Sequence, residues 1–351
     1  MRILYFVPHL NTIYAGRTIY NGYKNAFIDL GHTFDFLTAE DNHDVKFSEF
    51  APDILITSIH SYIFKFLDMK ALKRQKSRGM KVFVNTPFWH SPLSKLRINE
   101  ASSLSSNTDF VRLIKSGDYG DVYYNVCSQG DMRMDGFEKT TGYKHHTIPL
   151  AADKFVNFYE FKSQFQCDVS FLGTNLPDKQ AFFKERLYPL KQKYNLKLFG
   201  QDWSTMDKFI GIAAKAGMYF NLPILKNVQK PKLALENERQ IYSSSSISLN
   251  IHESYQREYG GDCNERTFKI PLCGGFEITD EVSCIKDYFV PDKEIVIAAS
   301  RDDWFDKIDH FLNHPDQRNS VIEAGKQRVL KDHTYHNRVV QMEDIYSKLS
   351  T

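Results

Sequence analysis

Gly260 and Gly261 precede Asn264, Glu265 and Arg266 at the opening of an expected helix over 264–272. This arrangement suits an anion. The first amides of a helix lack intrahelical partners, and the helix dipole places partial positive charge there. A guanidinium in the first turn adds a planar fork that matches phosphate oxygens. A diphosphate would sit on Gly261 to Arg266 in such a site. The same residues also fit a plain capped helix, with Asn264 as N-cap and Glu265 favoured by the dipole. Gly274 and Gly275 follow the helix and lead through Phe276 into a strand. Lacking side chains, they would let a base or ribose approach the backbone, although a helix C-cap accounts for one of them.

Other chemistries lose support. The chain has no G-x-x-x-x-G-K-[ST], no G-x-G-x-x-G after its first strand, no G-x-S-x-G and no H-E-x-x-H. It also lacks a D-x-D to hold a metal on a diphosphate, so no metal and no cofactor are expected and phosphate must be bound by the protein itself. His90, at the end of the NTPFWH stretch, is the candidate base for a hydroxyl, because an unperturbed imidazole titrates near pH 6.5. His60 is its rival, and His9 and His252 rank below. Gly16, in the loop after the first strand, stands where a helix would present amides to phosphate, and ordinary turn chemistry explains it too.

Forty-five Lys and Arg against forty-three Asp and Glu leave a net charge of +2, too little to favour nucleic acid as a partner. Five cysteines without a C-x-x-C pair argue against a disulfide framework or zinc ribbon. With no 18-residue apolar run and no leader-like start, a reducing, cytoplasmic compartment is expected. Lys70 to Lys81 carries six basic and no acidic residues, a solvated face or a weak peripheral contact with anionic lipid.

Positioning these residues requires alternating elements. Strands are expected at 2–7, 33–38, 53–58, 81–85, 121–127 and 145–149, with helices at 17–30, 60–77 and 131–140 between them. A second cycle starts at 167–173 and continues with helix 178–194, strand 196–199, helix 232–243, strand 246–251, helix 264–272 and strands 275–279 and 294–298. Helices over 301–312, 315–330 and 335–349 close the chain, and 203–230 reads as an insertion or loop. Two α/β domains of parallel sheet follow, with ligands expected at the carboxyl ends of the strands.

The run Arg266-Thr267-Phe268-Lys269-Ile270-Pro271-Leu272-Cys273-Gly274-Gly275-Phe276, followed by Thr279-Asp280, resembles the donor-binding signature of the spore-maturation-type, CgeB-like bacterial glycosyltransferases. DVSFLGT at 168–174 and ISLNIH at 247–252 resemble strands of that family, and His314-Pro315, Gly325, Arg328-Val329 and His333 to Arg338 resemble its closing helices. The likeness covers about 165–345, and the N-terminal half resembles GT-B glycosyltransferases in general.

The resemblance implies an α/β, GT-B fold of two Rossmann-like domains whose parallel sheets face a central cleft. Residues 1–160 would be the acceptor side, 166–334 the nucleotide-sugar-binding domain, and 335–351 a helix crossing back to the first. It also implies donor contacts at Gly173, Thr174, Asn250 and His252, and at Thr267, Lys269 and Phe276 beside the residues named above. The family usually has a glutamate for the ribose hydroxyls at the position of Lys269. A lysine on phosphate, or Glu265 on the ribose, are the alternatives here. Position 261, eight residues before Lys269, is a glycine, so the paired glutamates of related retaining enzymes are absent and the stereochemistry is open. The expected function is transfer of a sugar from a nucleoside diphosphate donor to a hydroxyl of a carbohydrate or polysaccharide acceptor, with His90 and Arg266 at the chemistry. A nucleotide-sugar epimerase or phosphorylase of the same fold, and a non-catalytic nucleotide-sugar or glycan-binding protein, are the alternatives.

Overall fold

Short, almost wholly apolar runs such as ILITS and KVFVN form strands buried on both faces, as in parallel sheets covered by crossover helices. The computed structural model describes residues 1–91, 103–220, 222, 224 and 235–349. Two compact units emerge, the first made of Met1–Asp153, Glu258–Cys263 and Asp332–Thr351, the second of Lys154–Arg257 and Asn264–Lys331.

In the first unit, β1 (Arg2–Phe6), β2 (Thr33–Leu37), β3 (Ile54–Ser58), β4 (Lys81–Asn85), β5 (Val122–Asn125) and β6 (His145–Thr147) lie in the order β2-β1-β3-β4-β5-β6. Every neighbouring pair is parallel. The closing helix Tyr335–Ser347 belongs to this unit, where Tyr335, Val339, Met342 and Ile345 share a core with Tyr23, Ala26 and Phe27 of the helix Tyr14–Asp29. Arg338 fastens it by donating to the carbonyls of Pro149 at 3.0 Å and Leu150 at 3.2 Å.

The second unit contains β7 (Cys167–Leu172), β8 (Leu196–Phe199), β9 (Ser245–Asn250), β10 (Glu277–Asp280) and β11 (Val296–Ala298), again all parallel, in the order β11-β10-β9-β7-β8. Its core joins Val169, Phe171, Ile247, Leu249, Ile278 and Trp304. Because β7 is followed by β8 on one side and has β9 on the other, the strand order reverses between β7 and β9. A crevice opens at the carboxyl ends of such a pair.

Several expectations change. Glu258–Cys263 falls in the first unit, whereas the expected boundaries put it in the second. It is held there by Ser128, whose amide and hydroxyl donate to the Gly261 carbonyl at 2.8 and 3.0 Å. The helix expected over 60–77 divides into Ser61–Phe64 and Met69–Lys76, because Asp68 caps the second piece through the amides of Lys70 and Ala71. The helix expected over 178–194 is a succession of short turns of different pitch, with Pro189 denying it a backbone donor. The stretch read as an insertion or loop opens with a helix, Thr205–Tyr219, capped by Ser204, and most of its remainder lies outside the described residues.

The basic run of the first unit is partly neutralised within that unit. Lys73 pairs with Asp118 at 2.8 Å, Arg74 with Asp44 at 2.5 Å and Lys76 with Asp121 at 3.4 Å. Among the described residues no helix is long and apolar enough to cross a membrane.

A Cβ added at Gly22 would lie 2.2 Å from the Tyr335 ring. Gly22→Ala is therefore expected to cost about 2–3 kcal/mol by separating the two helices. Urea unfolding measures it, and an unchanged midpoint would show that the helix pair yields freely.

Candidate functional site

The reversal between β7 and β9 gathers the cations of the second unit. Arg266 opens the helix Arg266–Leu272 and donates from Nη1 to the Leu172 carbonyl at 2.6 Å and from Nη2 to the Ile251 carbonyl at 3.0 Å. These oxygens end β7 and follow β9. Lys179, 4% exposed, donates to the same Ile251 oxygen at 2.7 Å. The turn carrying Lys179 is tied to the loop after β9 by Asp178, which accepts from the Ser254 amide and hydroxyl at 3.1 and 2.7 Å. Burial, then the Arg266 charge, push the Lys179 ammonium down to about 7. Both cations rest on neutral carbonyls, and among the described residues neither makes a direct ion pair.

Beneath them runs a continuous chain of hydrogen bonds. Arg257 donates to Asp280 at 3.0 Å and to the His252 carbonyl at 2.6 Å. Asp280, at the end of β10, accepts from His252 Nδ1 at 2.6 Å and from the His252 amide at 3.0 Å. Burial drives the Asp280 carboxyl upward, but His252 and Arg257 outweigh it and hold the group down at about 2. Burial lowers His252, so the arrangement is an ionised aspartate receiving a proton donor from a neutral imidazole. Nε2 of that ring then accepts from the Thr267 hydroxyl at 3.3 Å. Asn250 donates to Thr267 Oγ1 at 3.1 Å and accepts from Asn264 at 2.9 Å, and Asn264 Oδ1 accepts from the Arg266 amide at 3.0 Å. The chain begins at Asp280 and ends at Arg266.

Of the residues singled out in the sequence, Gly173, Asn250, His252, Asn264, Arg266 and Thr267 come together here, and Thr174 follows Gly173 at the end of β7. The others do not. Gly261 lies in the first unit, where a Cβ would fall 1.8 Å from Asp131, so the glycine is required by sterics and its carbonyl is taken by Ser128. Asp131 and Asp262 enclose Arg133 there, with all three side chains at most 4% exposed.

The first helical amides expected to cradle phosphate bond within the chain, Arg266 to Asn264 Oδ1 and Thr267 to the Asn264 carbonyl. Positive charge at this site comes from side chains. Gly274, Gly275 and Phe276 stand at the amino end of β10, separated from Arg266 by a seven-residue helix, about 10 Å of rise. Gly274 has φ of 71°, the left-handed cap conformation. Lys269 is buried between Glu265 at 3.0 Å and Glu238 at 3.4 Å. A buried ammonium compensated by two carboxylates is engaged in the interior, which takes both Lys269 and Glu265 away from the phosphate and ribose contacts considered for them.

Gly16 and His90 belong to the first unit. Gly16 sits in the first turn of the helix Tyr14–Asp29, against Thr12. His90 is exposed; its amide donates to the Arg133 carbonyl at 2.8 Å and its Nε2 lies 3.0 Å from the Asp135 carbonyl. That contact puts the proton on Nε2 and leaves Nδ1 as the basic nitrogen. His60 is occupied as a helix cap, accepting the Tyr62 amide. The sequence reading missed Lys179 and Arg257 as parts of the site and gave Asp280 only as the close of the donor-binding resemblance. A lysine that opens a turn just after Gly173 was the available signal, but only its burial on Ile251, 72 residues away, gives it a role.

Glu277 lies below this network, with Oε1 accepting from Asn250 at 2.8 Å and Oε2 buried without a partner. Burial pushes its carboxyl up to about 8. The folded value exceeds the unfolded one, so the group's penalty is absent below about pH 4.5 and grows as pH rises towards 8. Glu277→Gln is expected to stabilise the protein by a few kcal/mol at pH 8 and by almost nothing at pH 4.5. Denaturant titrations at the two pH values measure the difference, and equal effects at both would refute a neutral Glu277.

Residues 179–344 match the family described as glycosyl transferase-like. Spore protein CgeB of Bacillus subtilis is 20% identical over 198 residues, an alignment spanning 53% of this chain and 56% of that protein. The chain thus spans little more than half the length of this curated relative. Solved structures extend the likeness over the whole chain. An α-glucosyltransferase in complex with UDP and a 13-mer DNA has a TM-score of 0.63 at 12% identity, covering 99% of both chains. Sucrose-phosphate synthase of Thermosynechococcus elongatus gives 0.60 at 12% identity, covering 99% of this chain and 98% of its own. HepE of Anabaena, in complex with UDP and glucose, gives 0.57 at 10% identity over 99% of both. With two parallel sheets in the chain, the solved structures show the GT-B fold, and residues 179–344 carry the likeness to the glycosyl transferase-like family.

Proposed function

We propose that the protein transfers a sugar from a nucleoside diphosphate sugar to a hydroxyl of a carbohydrate or polysaccharide acceptor, with the donor's diphosphate held by Arg266 and Lys179. The observation that carries this reading is the convergence of two cations on backbone oxygens at the switch point, with no direct carboxylate partner for either among the described residues. A departing diphosphate gains negative charge as the glycosidic bond breaks, and fixed cations in a poorly hydrated crevice stabilise that charge without reorganising. They would serve where a metal serves in other transferases. Arg257, one bond removed through Asp280, adds a third positive group. In an inverting transfer, His90 Nδ1 would take the acceptor's proton.

UDP stands in the solved structures of the α-glucosyltransferase and HepE, which puts UDP sugars first in a panel with GDP, dTDP, ADP and CMP sugars. At least one is expected to raise the melting temperature. Arg266→Ala and Lys179→Met should each weaken its binding by tenfold or more, about 1.4 kcal/mol. No shift with any nucleotide would overturn the reading. Transfer is expected to survive EDTA, and His90→Ala to lower kcat while leaving donor affinity intact.

The Lys179 ammonium also sets a pH dependence. An anion binds best to its charged form, so affinity should be greatest below pH 7 and fall to a lower plateau above it. Calorimetry in buffers of different ionisation enthalpy should record proton uptake at pH 7.5, and Lys179→Met should abolish it.

A further inference from the structure

We propose that Asp280 is a positioning residue for the anion site, acting through the chain His252, Thr267, Asn250 and Asn264 to fix the setting of Arg266. The inference rests on the reading that Arg266 and Lys179 hold the donor's diphosphate. It goes beyond that reading because Asp280 touches neither cation.

Each link has one direction. An ionised carboxylate can only accept, so Asp280 receives the proton on His252 Nδ1 at 2.6 Å. The neutral ring then has a lone pair on Nε2, and the Thr267 hydroxyl must donate to it. That leaves Thr267 Oγ1 as acceptor for the Asn250 amide, which fixes which end of the Asn250 side chain faces Thr267 and which faces Asn264. Asn264 donates its own amide to Asn250 and so turns Oδ1 towards the Arg266 backbone. The orientation of four side chains is thus linked to the charge on one, with Glu277 holding the Asn250 amide in the same sense.

Asp280 acts by a second route. With the two bonds it accepts from the His252 amide, and with Arg257 bridging it to the His252 carbonyl, it secures the peptide that follows Ile251. The Ile251 carbonyl is the oxygen on which both Arg266 and Lys179 rest. Every group in this sequence from Asp280 to Asn250 is buried, so water does not substitute for a missing link.

Asparagine at 280 offers one oxygen where the carboxylate offers two. It can accept from Arg257 or from His252 Nδ1, but not from both. Either His252 moves its proton to Nε2 and reverses the chain, or Arg257 releases the His252 carbonyl. Thr267→Val interrupts the same chain at its middle without touching Asp280.

Calorimetric binding of inorganic pyrophosphate to the full chain tests this, with nitrogen NMR of His252 reporting which ring nitrogen carries the proton. Arg266→Ala is the control for the site itself and should abolish binding. Asp280→Asn and Thr267→Val should each weaken binding about tenfold, as the loss of a charge-assisted link would. Asp280→Asn should also move the His252 proton to Nε2 or leave the Arg257 guanidinium resonance without its bonded shift. Should Arg266→Ala leave pyrophosphate binding unchanged, the donor-site reading fails. If Arg266→Ala abolishes binding while folded Thr267→Val binds as tightly as the wild type, the site stands and the positioning role of the chain is refuted, even where Asp280→Asn does not fold.

Discussion

The carbonyl oxygen of Ile251 accepts two cations, Lys179 Nζ at 2.7 Å and Arg266 Nη2 at 3.0 Å, and the candidate site is organised by that contact. Bringing two positive groups to one oxygen is unfavourable in a poorly hydrated setting, and burial first, then the Arg266 charge, push the Lys179 ammonium down to about 7. The carbonyl dipoles of Leu172 and Ile251 offset only part of it. An anion would remove the rest. The proposed diphosphate site rests on this pair of cations set side by side on neutral oxygens.

Two other basic groups show what an interior without such a role looks like. Arg133 is enclosed by Asp131 and Asp262, and Lys269 by Glu238 and Glu265, each with carboxylates at contact distance. Burying a charge is tolerated when partners neutralise it. Arg257 is intermediate, paired with Asp280 but still 25% exposed. At the switch point between β7 and β9, by contrast, two cations converge on neutral oxygens. The parallel sheet makes this position special, since its carboxyl ends bring β7 and β9, distant in sequence, beside one another with a crevice between the helices that follow them.

Strand alternation was legible because each parallel strand is a short apolar run between polar helices, and all eleven described strands begin within two residues of the expected spans. Arg266 was legible by type, since a guanidinium at a helix opening has few plausible uses. Lys179 was not, because nothing local distinguishes it from surface lysines until the fold sets it on Ile251. Glycines misled for the same reason. Gly261 serves the space beside Asp131, and Gly274 a left-handed cap beside Tyr159, requirements imposed by neighbours 130 and 115 residues away. The Thr205–Tyr219 helix escaped notice because its sequence, TMDKFIGIAAKAGMY, shows no clean polar face to set a period of 3.6.

Gly173 shows how a glycine can serve the protein's own cation before it serves any ligand. A Cβ there would lie 2.7 Å from Arg266 Nη1, so a side chain would expel the guanidinium from the end of β7. Its carbonyl is in turn held by the Trp203 indole at 2.7 Å, with Gly200, at φ of 110°, packed so closely that a Cβ would fall 2.4 Å away. The peptide before Gly173, whose Leu172 oxygen is the second support of Arg266, is held by the Gly173 amide donating to the Phe199 carbonyl at 2.9 Å. Thus the peptides of both carbonyls beneath the guanidinium are fixed by other bonds, one through Gly173 to Phe199, the other by Asp280 and Arg257. Preorganisation of this kind is what lets a charged side chain stabilise a leaving group without first paying to reorient.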